Sequence, residues 1–78
     1  MRVFSYEGKG SDGTNLEHGK VYLARFTGAP DENGTPRETP DAEFMEYRAC
    51  KNQTLFTLQR GTPHKDFFYH LPHYFEFA

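Results

Sequence analysis

The segment HGKVYLARFT, residues 18–27, decides how this chain is read. Gly19 leads into it and Gly28-Ala29-Pro30 leads out, while Tyr22, Ala24 and Phe26 alternate with Val21, Leu23 and Arg25. A period of two, bounded by glycine and proline, is the pattern of a strand with one face on a core. These residues are expected to form the first long strand of a small barrel, with Tyr22 and Phe26 turned inward.

Toward the N-terminus, residues 2–7 also alternate, Val3 and Ser5 against Phe4 and Tyr6, before Gly8-Lys9-Gly10-Ser11-Asp12-Gly13 breaks the pattern. That reads as a short strand and a connecting loop. The loop lacks G-x-x-x-x-G-K-[ST], and no helix follows whose amides a phosphate could meet. Leu16 is the one apolar residue in the next turn and is expected to plug an end of the core.

Toward the C-terminus, residues 28–42 hold three prolines, an Asn33-Gly34 pair and four acids, Asp31, Glu32, Glu38 and Asp41. Asn-Gly signals a hairpin when apolar alternation flanks it, but these flanks are polar, so a long exposed loop is expected. Residues 43–50 could open as a helix capped by Thr39 or Asp41. Phe44, Met45, Tyr47 and Cys50 make no clean helical stripe, however, and Lys51-Asn52 followed by residues 54–58 favours a hairpin. Residues 60–64 read as the next turn. From Asp66 onward six aromatics fall within residues 67–77. Pro72 cannot donate to a ladder, which predicts a strand through Tyr69, one helical turn at residues 71–74 and a closing strand at residues 75–77.

Seventy-eight residues make one domain, 1–78, that buries only about 60% of its unfolded surface. Eight Phe and five Tyr, with few Val and no Ile, mean that rings must supply the core; Tyr22, Phe26, Phe67 and Phe75 are expected there. A net charge of −2 argues against a protein whose affinity comes from neutralising many phosphates. Cys50 is the single cysteine, so no internal disulfide can form. No stretch approaches the apolar length of a signal peptide or a membrane span, and a cytoplasmic protein that does not enter membranes is expected.

Three chemistries can be set against these residues. His64, His70 and His73, with Cys50 or His18, could form a zinc set, but the paired cysteines of structural zinc are missing and a proline interrupts the His-x-x-His spacing. A Cys50–His nucleophile would need an orienting carboxylate and a pocket that so small a core hardly provides. No cofactor, metal or enzymatic activity is therefore expected. Binding remains. An open-edged barrel offers strand addition, and Asp31, Glu32, Glu38, Asp41 and Glu43 offer an acidic surface for a basic protein partner. The alternative is a single-stranded nucleic acid lying on Lys20, Tyr22, Arg25, Arg48 and Lys51.

With these residues placed, the chain resembles small phage-encoded SH3-like β-barrel proteins. The resemblance lies in the basic-apolar start at residues 2–6, in Leu16-Glu17-His18-Gly19-Lys20-Val21-Tyr22, and in Leu71-Pro72-His73-Tyr74-Phe75-Glu76 near the end. It covers both ends of the chain, with residues 28–41 as an insertion. It implies a mainly β, SH3-like barrel of about five strands with a 3-10 turn near the C-terminus. It also implies an accessory protein of the bacterial host cytoplasm that binds and inhibits or redirects a host or defence protein, and it brings no catalytic residue.

Overall fold

A computed structural model describes residues 2–28, 39–62 and 64–78. The expected loop at residues 28–42 falls largely outside them. Among the described residues five strands follow in chain order: β1 at Val21–Phe26, β2 at Met45–Asn52, β3 at Leu55–Thr62, β4 at Lys65–His70 and β5 at Phe75–Phe77, with a 3-10 turn at Pro72–Tyr74 before the last. All the pairings are antiparallel, in the order β4-β3-β2-β1-β5. Among the described residues no helix is long and apolar enough to cross a membrane.

The sheet curls into a half-barrel, and residues 2–6 run along its open side between β5 and β3. Arg2 and Phe77 exchange both backbone hydrogen bonds, at 3.1 and 2.9 Å, which sets the N-terminal segment beside β5. Four residues later the Phe56 N–H donates to the Tyr6 carbonyl at 3.0 Å and ties the same segment to the start of β3. The expected strand at residues 2–7 is thus reduced to single bridges, Arg2 with Phe77 and Phe4 with Gly10. Gly8 is obligatory at this crossing. Its φ is +83°, and a Cβ there would lie 2.6 Å from the Phe56 ring.

Rings fill the interior, as the composition requires. Phe4, Tyr22, Phe26, Tyr47, Phe56, Phe75 and Phe77 are buried with Leu16, Ala24, Ala49 and Leu58. They meet edge to face: Phe77 lies 4.6 Å from Phe4 and 5.8 Å from Tyr22, and Phe75 lies 4.9 Å from Tyr47. This is the arrangement that ring quadrupoles prefer. Leu16 plugs the core as expected. The ambiguous residues 43–50 resolve as strand because only a period of two buries Tyr47 and Ala49 while leaving Glu46 and Arg48 in water.

Two details depart from the sequence reading. β3 continues through residues 60–62, which had read as a turn, because a bulge between Arg60 and Thr62 absorbs Gly61 at φ +78°. The β2–β3 hairpin turns at Gln53-Thr54 instead of Lys51-Asn52, since Asn52 pairs with Leu55. Gln53 takes φ +59°, the conformation that two-residue hairpins give to glycine or asparagine. Replacing Gln53 by Gly is expected to relieve this strain and raise stability by about 0.5–1 kcal/mol. Thermal melts should show a Tm a few degrees higher.

Candidate binding face

The side chains that alternate away from the core form one continuous outer surface across β1 to β4. The pairings Val21↔Arg48, Arg48↔Gln59 and Gln59↔Tyr69 align four of them in a straight row across four strands. Leu23 pairs with Glu46 one step along. Tyr69 is 57% exposed, Leu23 51%, Val21 43% and Phe67 38%. Apolar side chains therefore stand at the two flanks of the face, with ions and carboxamides between.

Two open grooves border the row. One, of about 340 Å³, is lined by Val21, Glu46, Arg48, Gln59, Arg60 and Gly61. Gly61 lies at the bulge of β3. The other, of about 330 Å³, runs between Cys50, Asn52, Thr57 and Gln59 and the rings of Phe67 and Tyr69. Those two rings lie 5.3 Å apart at 36°. The Gln59 amide donates to the Thr57 hydroxyl at 2.9 Å, which holds the carboxamide along the sheet.

Phe67 corrects an expectation, since it was assigned to the core. In a strand only alternate residues of Phe67-Phe68-Tyr69 can point inward, and Phe68 takes that place, packed 4.9 Å from Phe26. Tyr22 is a second correction. It was assigned to a nucleic-acid face but is 8% exposed, because the alternation that buries Ala24 and Phe26 buries it as well, and its hydroxyl accepts from the Glu17 N–H at 2.9 Å. The basic residues of that face are divided. Arg25 is ion-paired with Glu76 at 2.6 Å, and Lys20 lies 3.4 Å from Glu17. Lys51 reaches over the Phe56 ring, and Arg48 faces the outer groove.

Of the acidic candidates, Asp31, Glu32 and Glu38 lie outside the described residues, and Glu43 is exposed just before β2. Asp41 turns inward instead of to a partner, its side chain only 8% exposed. It prolongs the pairing of β1. Its N–H donates to the Phe26 carbonyl at 2.9 Å, and its carboxylate accepts the Phe26 N–H at 3.0 Å as well as the Tyr47 hydroxyl. Arg60 stands 3.8 Å from the same carboxylate and stacks on Phe68 at 4.9 Å and Tyr47 at 5.7 Å, closing this end of the core.

The remaining candidates are positioned by packing. His70 is stacked on Phe26 at 4.8 Å, His73 lies 4.1 Å from the Tyr74 ring, and His64 is exposed. Among the described residues no three His, Cys, Asp or Glu side chains gather as metal ligands would. Cys50 is half-buried on the outer face, and His18 accepts the Lys51 N–H through Nδ1 at 2.9 Å. In the glycine loop the Asp12 carboxylate accepts both the N–H and the hydroxyl of Thr14 at 3.1 and 2.6 Å, and the hydroxyl bond foremost holds its pKa below the usual carboxylate value. No family model matches this chain, and no curated protein or solved structure does either.

Proposed function

We propose that the chain is a non-enzymatic binding module that grips a protein partner with the outer face of its sheet, acting as a phage accessory protein that inhibits or redirects a host or defence protein in the bacterial cytoplasm. One observation supports this most directly. Val21, Leu23, Phe67 and Tyr69 are large and exposed on the strands that carry the two grooves, which is the anatomy of a protein interface: apolar anchors beside ordered hydrogen-bonding groups. β4 is also the edge of the sheet, where a partner's strand can add beside the two rings. The inhibitor role draws on the resemblance of the two chain ends to phage barrels.

A second reading, single-stranded nucleic acid, draws on the same ring pair, since bases stack on exposed aromatics beside Arg and Lys. It is the weaker of the two because Lys20 and Arg25 are engaged with acids and Tyr22 is inside. Affinity capture from bacterial lysate should recover one protein at near-equal stoichiometry. Phe67→Ser combined with Tyr69→Ser should reduce that recovery at least about tenfold, the loss expected for central aromatic anchors, with the Tm little changed. A parallel variant, Asp31→Asn with Glu32→Gln, Glu38→Gln and Glu43→Gln, should leave recovery intact. If it abolishes recovery instead, the acidic loop is the contact surface. Tight oligonucleotide binding that falls steeply with salt would establish the second reading in place of the first.

A further inference from the structure

The chemistry of the central row points to one kind of partner segment. Neighbouring strands are about 4.8 Å apart, so the row from Val21 to Tyr69, which crosses three strand spacings, is about 14 Å long. An extended peptide advances about 3.3 Å per residue and shows alternate side chains to the same side, so residues i, i+2 and i+4 face one surface over about 13 Å. Laid across the strands, its first and fifth side chains fall on Val21 and Tyr69. The third falls midway, between Arg48 and Gln59.

The groups around that midpoint select a carboxylate. Arg48 is the cation that turns its head to this groove, beside Gln59 and with Glu46 two residues away on the same strand; Arg60 shares the lining but keeps its guanidinium on the core side, against Asp41, Phe68 and Tyr47. Among the described residues Arg48 donates one long hydrogen bond, 3.4 Å to the Gly19 carbonyl, and a guanidinium has five N–H donors in a planar fork that matches a carboxylate. Building on the reading of this face as a protein interface, we propose that it recognises an extended segment of the partner with apolar residues at its first and fifth positions and Asp or Glu at its third, running across β1 to β4. The acid receives hydrogen bonds from Arg48, with Gln59 beside it, and the apolar ends pack on Val21 and Leu23 at one side and on Tyr69 and Phe67 at the other. The partner's segment is acidic, the sign opposite to that expected from the acidic loop.

Fluorescence anisotropy with labelled nonapeptides centred on Leu-Thr-Glu-Thr-Val tests this. The Glu-centred peptide is expected to bind at least about tenfold more tightly than its Gln-centred counterpart, the difference that one charge-assisted pair supplies. Arg48→Glu should reverse the order in favour of a Lys-centred peptide, and Tyr69→Ser should weaken the Glu-centred peptide about tenfold. Thermal melts of both variants confirm that they are folded, and the charge reversal keeps the measurement informative even if Arg48→Glu lowers the Tm. Equal binding of the Glu and Gln peptides, or indifference to Arg48→Glu, overturns the proposal. If no peptide binds while lysate capture still depends on Phe67 and Tyr69, the acidic motif is wrong and the interface stands. If capture is independent of those rings, the interface falls as well.

Discussion

Phe77→Ala is expected to cost about 3–5 kcal/mol, the range for removing a fully buried ring from a core that collapses only partly around the gap. Small domains hold about 5–15 kcal/mol in total, so most of the stability is at stake. The size follows from where Phe77 sits. It has no exposed surface, it meets Phe4 and Tyr22 edge to face, and its backbone is the rung that joins Arg2 to the sheet while pairing with Ala24 on the other side. Losing the ring loosens β5 and the N-terminal segment together. At about 4–8 °C per kcal/mol, the Tm should drop by about 12 °C or more, whereas Phe77→Leu, which keeps much of the volume, should cost less than about 1.5 kcal/mol. Urea unfolding followed by circular dichroism measures both. A loss under about 1 kcal/mol for the alanine variant would show that the barrel is not closed through these residues.

Asp41→Ala is expected to cost about 2–4 kcal/mol, although the residue stands beside the most polar part of the sequence. Its carboxylate takes the place that a neighbouring strand's carbonyl would hold for the Phe26 N–H, and the same group accepts from Tyr47 and faces Arg60. Removing an acceptor strands a buried donor, which costs about 1–3 kcal/mol, and leaves the Arg60 charge less compensated where it lies on the rings. Asp41→Asn retains an acceptor oxygen and should lose about half as much. The contrast between the two variants separates a carboxylate that builds the barrel from one that meets a partner. If both melt like the parent protein but reduce partner capture, Asp41 belongs to the binding surface after all.

Much of the architecture can be read directly from residue order, and the exceptions share a cause. Tyr22, Ala24 and Phe26 announce their face because a strand has a single inward side, and Pro72 announces the 3-10 turn because it can neither continue nor donate to a ladder. Asp41 is different. A carboxylate after Pro40 looks solvated, and only the return of the chain alongside Phe26, fifteen residues earlier, makes it an acceptor for β1. Phe67 was misplaced for the opposite reason, since counting rings says how many a core needs without saying which ones. Strict alternation through Phe67-Phe68-Tyr69 contained the answer. The binding row was legible only in part. Arg48 stood out by its charge, but its alignment with Val21, Gln59 and Tyr69 depends on strand registers that no local pattern encodes.

The position of the lone thiol has a practical consequence. Cys50 is half-buried on the outer wall of the ring-lined groove, and no other cysteine competes with it for a reagent. Its alkylation rate is therefore a built-in footprint of occupancy: a ligand seated against Phe67 and Tyr69 should shield the sulfur, while one held by Asp31, Glu32 and Glu38 should leave the rate unchanged. A mass shift on a single residue can thus map where the partner sits before the partner itself has been identified.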